Sequence, residues 1–244
     1  MKNGKKALIT GSSRGIGRAA AIGLAQDGYE IFVHCAGNLE KAGETKSEIE
    51  KIGGAAHILK ADLQKAEEAR GLLPDGGVDV LVLNASVQYR KSWEQITLDE
   101  CWRQLSCNFI SSMLLIQSAV PFMRKKHWGR IVTVGSVQEA KPHPDMLVYS
   151  ASKAAQTNMM RSLALQLAKD GITVNNVAPG VIDTDRNASV LSNAAYAAAV
   201  TASIPSGFYG RPSDCAGIIR LLCSEEGRYI TGQSIYVDGG KSIQ

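Results

Sequence analysis

The chain of 244 residues lacks the features that mark secreted and membrane-spanning proteins. No uninterrupted apolar run approaches the roughly 20 residues that a helix needs to cross a bilayer. From Met1 the chain passes within a few residues into a short apolar run at 7–9, without the pattern of a signal peptide. We therefore expect neither secretion nor a membrane partner.

A strong excess of charge is also missing. Lysine and arginine together number 27 and aspartate and glutamate 23, which gives a net charge of +4. The basic residues are dispersed and form no run or stripe of the kind that binds a phosphate backbone. The charge pattern therefore argues against a nucleic-acid partner.

Cysteine is scarce, and its spacing suggests no pairing. The five cysteines are odd in number and form no C-x-x-C pair. Neither a disulfide framework nor a zinc site is expected from such a pattern, and we expect no metal. Small buried apolar side chains in the reducing cytoplasm are the role that we assign to these thiols.

The sequence does contain an alternation of short apolar runs and amphipathic stretches. Hydrophobic residues make up 45% of the chain, as in soluble globular proteins, and its 24 glycines indicate loops that need them. The helical periodicity between most apolar runs indicates crossover helices on both faces of a parallel sheet. The expected fold class is therefore α/β, a single Rossmann-type domain over 1–244 with a doubly wound, seven-stranded parallel sheet. Its strands are predicted near 6–10, 29–34, 56–60, 78–83, 130–134, 172–178 and 234–237.

Two long helices are predicted at roughly 97–124 and 146–169, the first opened by a capping-box pattern from Thr97 to Glu100. The segment 183–211 has the least sheet-like character, with an alanine-rich stretch at its centre. We interpret this segment as an excursion that covers a binding site. An ordinary surface helix with loops is the alternative.

A glycine-rich turn lies between the first predicted strand and the helix that follows it. Glycines let the backbone turn tightly and approach a pyrophosphate, while free amides and the dipole of the helix N-terminus stabilise the anion. The spacing differs from the common G-x-G-x-x-G pattern, so a plain strand-to-helix turn remains the alternative. The residues of this turn that we expect to bind a dinucleotide are Gly11, Ser13, Arg14, Gly15, Ile16 and Gly17.

A second group of polar residues follows the predicted strand at 130–134. Ser136 lies at the carboxyl end of that strand, the edge where open α/β sheets bind ligands. Tyr149 and Lys153 are spaced to share one face of a helix. An adjacent ammonium favours the phenolate form of a phenol, which makes the phenol a usable general acid or base near neutral pH. Taken alone, a Tyr-x-x-x-Lys pair is more often a solvated pair on a helix surface.

Together these motifs resemble those of the short-chain dehydrogenase/reductase family, in the family's order and spacing and over essentially the whole chain. The segment from Thr10 to Gly17 is similar to the family's T-G-x-x-x-G-x-G loop, and the ending through Asp238 is similar to its last strand. The other positions that carry the resemblance are Asp62, Leu63, Asn84, Ala85, Asn108, Ser136, Tyr149, Lys153, Pro179, Gly180 and Thr184.

The resemblance implies a hydride transfer between nicotinamide C4 and a substrate carbon, with Tyr149 exchanging a proton with the reacting oxygen. Lys153 is implied to bind the nicotinamide ribose and to assist the tyrosine, and Ser136 to hydrogen-bond the substrate oxygen. Asn108 is implied to fix a water that links Lys153 to solvent, or else to be a buried amide that satisfies helix backbone. Further cofactor contacts are implied for Asp62, Leu63, Asn84, Ala85, Pro179, Gly180, Ile182 and Thr184.

The choice between NAD and NADP depends on the end of the second strand, where a carboxylate accepts the adenine ribose hydroxyls of NAD. The segment from His34 to Asn38 has no carboxylate; Glu30 comes too early and Glu40 too late. Arg14 can pair with a phosphate, although a solvated loop cation is its alternative role. We therefore expect NADP(H) to be preferred, with His34 and Asn38 near the ribose, and NAD(H) as the alternative.

One position departs from the family pattern. Ser86 stands where the family's N-A-G motif has glycine, and it adds a side chain where the backbone usually approaches the cofactor. The expected activity stands, while the local fit of the cofactor is put in question. The resemblance also implies a homotetramer, built through the two long helices and the last strand.

The substrate is less constrained, since similar sites act on sugars, polyols, steroids, acyl thioesters and ketones. The polar loop after Ser136 resembles that of glucose dehydrogenases, so Gln138, Glu139 and His143 are expected to meet substrate hydroxyls, unless the loop is merely solvated. Asp170 stands where reductases that use acyl carrier protein usually have arginine, and an acid would repel that acidic carrier. We expect a sugar, polyol or similar hydroxy compound. A 3-oxoacyl-(acyl-carrier-protein) reductase is the runner-up, and a nucleotide-binding regulatory protein is the non-enzymatic alternative.

Overall fold

The computed structural model describes residues 4–187 and 192–244. Its strands pair in parallel throughout one sheet, in the order β3-β2-β1-β4-β5-β6-β7. The predicted seven-stranded parallel α/β fold is confirmed, and each strand boundary lies within two residues of its prediction. The strands are β1 Lys6–Ile9, β2 Glu30–Cys35, β3 Ala56–Lys60, β4 Val80–Leu83, β5 Gly129–Val134, β6 Ile172–Pro179 and β7 Ser234–Val237.

Helices connect most of the strands. The predicted capping box opens α4, because Thr97 Oγ1 accepts from Glu100 N–H and the Glu100 carboxylate accepts from Thr97 N–H. A π-helical turn at Ser106–Ile110 separates α4 from α5, which the sequence periodicity did not predict. The helices are α1 Gly15–Gln26, α2 Leu39–Lys51, α3 Ala66–Arg70, α4 Leu98–Leu105, α5 Ser111–Lys126, α6 Leu147–Leu167, α7 Ala194–Ala202 and α8 Pro212–Cys223.

Two apolar cores hold the layers together, one on each face of the sheet. Successive strand side chains point to opposite faces, so Leu8 joins one core and Ile9 the other. The first core contains apolar residues of α5 and α6, and the second contains those of α1, α2 and α8. Because both faces are covered, most strand residues are buried and apolar, with buried polar exceptions such as Asn175 and Asn176 in β6.

The order of the strands reverses between β1 and β4. The chain builds outward from β1 to β3 and then returns to the other side of β1 to build β4 through β7. Loops that leave two neighbouring strands in opposite directions open a crevice at their carboxyl ends, and ligands of doubly wound sheets bind there. The glycine-rich turn after β1 and the segment after β4 meet at this point.

One helical stretch bears on the expectation that no segment of the chain spans a membrane. Leu98–Lys126 is long enough and apolar enough in composition to cross a bilayer, although its apolar residues are interrupted by polar ones. Half of its most apolar window is buried inside the fold. The core helix of a soluble protein meets the same criterion, so this stretch is weak evidence for a membrane span.

Candidate active site

A cavity of about 720 Å³ opens at the carboxyl ends of the strands around the β1–β4 crevice. This volume lies within the range of small-molecule sites. Asn108 and Lys153 are fully buried behind the wall, and Gly17 lies beneath the glycine turn. The predicted site residues on the wall are Gly11, Ser13, Arg14, Gly15, Ile16, His34, Asp62, Leu63, Asn84, Ala85, Ser136, Gln138, His143, Tyr149, Pro179, Gly180, Ile182 and Thr184.

The glycine turn has a backbone that other residues would not adopt easily. Gly11 and Gly15 have φ values of +64° and +57°, in the left-handed region. A Cβ on Gly17 would lie 2.5 Å from the carbonyl oxygen of Gly11, so this helical turn packs directly against the loop. α1 begins at Gly15, so its N-terminal amides face the cavity wall. These features fit a dinucleotide phosphate.

Hydrogen bonds of Thr10 link the glycine turn to the end of β4. The Thr10 hydroxyl accepts from the backbone N–H groups of Asn84 and Ala85, at 2.9 and 3.0 Å. The Asn84 amide in turn donates to the carbonyls of Thr10 and Gly11. The β1 and β4 sides of the crevice are therefore one hydrogen-bonded unit, and Asn84 acts by shaping the loop.

His34 has a different role from the one predicted for it. Its Nδ1 accepts from Gly11 N–H at 2.9 Å and its Nε2 lies 3.0 Å from the carbonyl of Ala61. The neutral ring protonated at Nε2 satisfies both contacts, and burial lowers the pKa of His34. Because both nitrogens are occupied, we correct the prediction: the ring supports the glycine turn instead of binding ribose.

Asn38 and Arg14, the two polar residues expected near the cofactor at the end of β2, differ in position, because only Arg14 lines the cavity. Asn38 is not on the cavity wall, since its Oδ1 caps α2 by accepting from Lys41 N–H. We correct its predicted cofactor contact for that reason. Arg14 does line the cavity and lies 3.8 Å from Asp185, which also binds Lys41 at 2.7 Å. A cationic group thus stands at the glycine turn, as expected.

Ser136 and Tyr149 present hydroxyl groups to the same cavity from different elements. Ser136 follows β5, and its Oγ accepts from Gln138 N–H at the start of a short 3₁₀ turn. Tyr149 lies in the first turn of α6. Both residues are buried apart from their cavity surface. The two hydroxyls are therefore anchored on rigid backbone at the strand edge.

Lys153 lies one helical turn beyond Tyr149, with its Nζ 5.8 Å from the centre of the tyrosine ring. The ammonium donates to the carbonyl of Val134 at 2.7 Å and to Oε1 of Gln156 at 3.2 Å. Burial, reinforced by the charge of Arg186, lowers the pKa of Lys153 to about 7. An ammonium has three donors, so one N–H remains for a ligand or for the tyrosine.

A buried chain of hydrogen bonds continues from Lys153 toward the π-helical turn. Gln156 Nε2 donates to Ser112 Oγ at 2.9 Å, and Ser112 Oγ donates to the Asn108 carbonyl at 3.2 Å. Sequence reasoning missed Gln156. The signal was a polar residue three positions after Lys153, a spacing that places it on the same inner helix face.

The side chain of Asn108 is engaged by the protein itself. Its Nδ2 donates to the Val87 carbonyl and to Ser152 Oγ, and its Oδ1 accepts from Val87 N–H. Both amide protons are used, which matches the alternative of a buried amide that satisfies backbone. The role of Asn108 in fixing a water stays a prediction.

Glu139 is turned away from the cavity. Its carboxylate accepts from Thr157 Oγ1, Asn176 Nδ2 and Ser234 Oγ, which joins α6, β6 and β7. A carboxylate with three internal donors is a structural anchor, so the predicted contact with substrate is wrong. No sequence spacing could reveal partners that are 18, 37 and 95 residues away.

Gln138 and His143 do line the cavity. The Gln138 amide is oriented by Ser150 Oγ at 2.8 Å and by the sulfur of Met146. His143 Nδ1 accepts from Asp145 N–H, so its Nε2 is the nitrogen left to donate to a ligand. Burial, with the nearby charge of Arg90, lowers the pKa of His143 and favours the neutral ring.

The other polar side chains around the cavity give no sign of a metal centre. Across 4–187 and 192–244, no group of three or more His, Cys, Asp or Glu could hold a metal ion. Each of the five cysteines is a free thiol. The polar groups on the cavity wall are hydroxyls, amides, imidazoles, cations and the carboxylates of Asp62 and Asp185.

A doubly wound parallel sheet with a glycine turn at its strand reversal, and a tyrosine, serine and buried lysine beside it, defines a dinucleotide-dependent oxidoreductase. The comparison with known families agrees, because the model for "short chain dehydrogenase" matches residues 5–195. The chain belongs to the short-chain dehydrogenase family.

Relatives with different substrates are about equally similar to this chain. A 3-oxoacyl-[acyl-carrier-protein] reductase, FabG, from Staphylococcus aureus is 36% identical, over 98% of this chain and 99% of its own. A glucose 1-dehydrogenase from Gluconobacter oxydans is also 36% identical, over 98% and 92%. The crystal structure of a gluconate 5-dehydrogenase from Burkholderia cenocepacia, in complex with NADP and tartrate, matches with a TM-score of 0.93 at 28% identity, over 100% and 97%.

Proposed function

We propose that this enzyme uses NADP(H) to interconvert a carbonyl and a secondary alcohol in a sugar, polyol or similar small hydroxy compound. The observation that carries the proposal is the pair of hydroxyls of Ser136 and Tyr149 on one cavity wall, with the Lys153 ammonium behind the tyrosine. The polar groups of Gln138 and His143 on the same wall favour a hydroxylated substrate. The glucose and gluconate dehydrogenases among the relatives support that choice.

The cavity fits a dinucleotide, which would supply or accept a hydride when bound. Gly11, Gly15 and the N-terminal amides of α1 would hold its phosphates, since no Cβ covers them. Asp62 and Leu63 would border the adenine, and Lys153 would bind the nicotinamide ribose with its remaining N–H. The other wall residues proposed to hold the cofactor are Ser13, Arg14, Ile16, Asn84, Ala85, Pro179, Gly180, Ile182 and Thr184.

The protein's own contribution to the reaction is orientation and proton transfer. Ser136 Oγ would donate a hydrogen bond to the substrate oxygen and hold it beside the Tyr149 hydroxyl. Tyr149 would give its proton to that oxygen during carbonyl reduction and take it back during alcohol oxidation. Lys153 would stabilise the phenolate that this transfer leaves, because a positive charge favours the ionised phenol. The buried chain through Gln156 holds the ammonium in place.

Replacing Tyr149 with phenylalanine tests this assignment. Tyr149→Phe keeps the ring and removes the proton donor, so we expect kcat to fall by at least about a thousandfold. NADPH affinity, measured by fluorescence titration, should change less than threefold. A variant with unchanged turnover would overturn the assigned acid. A wild-type chain that binds NADPH but turns over no carbonyl compound would instead favour the regulatory, non-enzymatic alternative.

The preference for NADP(H) rests on the end of β2. Cys35 and Ala36 line the cavity there, and the segment 34–38 contains no carboxylate to accept a ribose diol. Arg14 would pair with the 2′-phosphate instead. We expect kcat/KM for NADPH to exceed that for NADH by about tenfold or more, and Arg14→Gln to reduce this ratio. A wild-type preference for NADH would contradict the assignment.

A 3-oxoacyl-(acyl-carrier-protein) reductase is the second candidate, favoured by one observation. Asp170 forms an ion pair with Arg124 at 2.7 Å, and three basic residues end α5 beside it. The acidic charge that was expected to repel a carrier protein is therefore largely neutralised. A substrate panel separates the candidates, because turnover of acyl thioesters without turnover of any sugar or polyol would reverse their order.

We also propose that the enzyme is a cytoplasmic homotetramer. The free thiols fit a reducing compartment. Large apolar side chains stand exposed on α4 and α6, and the edge of β7 has no neighbouring strand in the described sheet. These are the elements through which the family resemblance implies assembly.

A further inference from the structure

Arg186 occupies a position for which neither the family pattern nor the proposed mechanism has a use. It lies in the segment after β6 and lines the mouth of the cavity. Its NH1 donates to Ser86 Oγ at 2.9 Å and its NH2 to the Ser86 carbonyl at 2.7 Å. Ser86 follows β4, so the arginine bridges two sides of the cavity. The serine that departs from the family pattern is one of its anchors.

The positive charge of the guanidinium is not offset by its anchors. Both of its anchors are neutral, and among the residues that the structure describes no carboxylate forms an ion pair with it. The neighbouring Asp185 is already engaged by Lys41 at 2.7 Å. A guanidinium has five N–H donors, so several remain for a ligand after Ser86 is bound.

This charge acts on the reactive end of the cavity. Arg186 lines the same cavity as Ser136 and Tyr149, and its charge contributes, after burial, to the lowered pKa of Lys153. Lys141 and Lys241 line the same region. The acidic wall residues are Asp62, which follows β3, and Asp185, whose carboxylate is paired with Lys41 and Arg14. A negatively charged group entering near Tyr149 would therefore be attracted and not repelled.

We propose that Arg186, anchored by Ser86, binds an oxyanion in the cavity, either the carboxylate of a hydroxy-acid substrate or the diphosphate of the cofactor. Planar guanidinium groups bind both kinds of oxyanion through paired, charge-assisted hydrogen bonds. The proposal rests on the proposed function only in taking the cavity as the ligand site. Arg186 is thereby assigned to binding, and it neither donates nor accepts the proton that Tyr149 transfers.

The first part of the test concerns the cofactor. NADPH dissociation constants are measured by fluorescence titration for the wild type, Arg186→Met and Arg186→Lys. If the diphosphate is the ligand, Arg186→Met weakens NADPH binding by about tenfold or more, and Arg186→Lys, which keeps the charge, recovers part of the loss. Ser86→Gly removes one of the two anchors and should weaken binding by a smaller factor.

The second part concerns the substrate. D-gluconate binding to the NADP⁺-saturated protein is measured by calorimetry, with sorbitol as an uncharged polyol of similar size. If a substrate carboxylate is the ligand, Arg186→Met weakens gluconate binding by about tenfold and leaves sorbitol binding unchanged. Thermal melting of each variant checks that it is folded.

The proposal is overturned if Arg186→Met changes neither NADPH binding nor gluconate binding by more than twofold, or if the wild type binds no gluconate and the variant binds NADPH normally. These readouts are equilibrium affinities and require no turnover. A failure of the proposed function would appear separately, as a wild-type chain that binds NADPH and reduces nothing.

Discussion

At the scale of single residues, the pKa of Lys153 is set by neighbours that act in opposite directions. Lys153 is faced by Tyr149 on its own helix, by Cys107 from the π-helical turn, by Glu139 from the turn after β5, and by Arg186 from the segment after β6. Burial and Arg186 lower its pKa to about 7, while Cys107 and Glu139 act in the opposite direction. Because carbonyl reduction requires the ammonium form, we expect kcat to decline above about pH 7.

Two substitutions should move this decline in opposite directions. Gln156→Met removes an acceptor of the ammonium, which lowers the pKa of Lys153 and shifts the decline in kcat to lower pH. Arg186→Met removes a like charge, which raises the pKa of Lys153 and shifts the decline in kcat to higher pH. Each shift should be on the order of half a pH unit, and Gln156→Met should also lower kcat about fivefold.

The measurement is kcat for carbonyl reduction against pH, at saturating NADPH and substrate. Gln166→Met on the exposed face of the same helix is the matched control and should leave the profile unchanged. A decline that moves in the same direction in both variants would contradict this account of Lys153. Gln156→Glu keeps an acceptor and adds a negative charge, so it should shift the decline in kcat to higher pH than in the wild type, whereas Gln156→Met shifts it to lower pH.

Which site residues could be predicted from sequence depends on where their partners lie. Tyr149 and Lys153 share one helix, so their spacing alone placed them together. Glu139, by contrast, is held by hydroxyl and amide groups on three separate elements. His34 was placed near the cavity correctly, but its ring bonds to Gly11 and Ala61 depend on how three strands align.

At the scale of elements, β2 and the glycine turn are coupled through the buried ring of His34. Burial lowers the pKa of this histidine below its ordinary value of about 6.5. The unfolded chain therefore binds a proton more readily than the folded one, and stability is lost as pH falls below about 6.5. For one proton the loss is at most about 1.4 kcal/mol per pH unit.

We expect the wild type to melt about 2–4 °C lower for each kcal/mol lost as pH falls from 7.5 to 5.5. His34→Gln should have a lower melting temperature at pH 7.5 but a smaller further decrease at pH 5.5. His57→Gln, which alters an exposed histidine paired with Glu30, is the control and should keep the wild-type pH dependence. Equal pH dependence in all three proteins would count against a role for His34.

Element boundaries were predictable wherever burial alone decides them. The strands are covered on both faces, so continuous apolar runs marked them to within two residues. The π-helical turn at Ser106–Ile110 was not predictable, because it arises where the Asn108 amide bonds the backbone of Val87 after β4. The spacing of apolar residues in a helix indicates which face is buried, and it does not reveal a hydrogen bond to a distant segment of the chain.

At the scale of the whole molecule, several of the exposed large apolar side chains lie on α4 and α6. Leu98 and Trp102 lie one turn apart on α4, with 73% and 56% of their surfaces exposed, and Leu165 on α6 is 84% exposed. Contiguous exposed apolar surface of this kind marks protein interfaces. Leu98 and Trp102 also belong to the apolar stretch Leu98–Lys126, half of whose most apolar window is buried in the fold.

We therefore expect the wild type to sediment with four times the mass of one chain. Leu165→Glu places a charge where burial between copies would leave it without water or a partner, so it should convert most of the protein to dimers or monomers. Leu39→Glu is the matched control, because Leu39 is also exposed, at 50%, but lies on α2 and not on either long helix. A wild type that sediments as a single chain at micromolar concentration would overturn the proposed tetramer, and an unchanged tetramer in Leu165→Glu would place the interface elsewhere, at Trp102 or along the edge of β7.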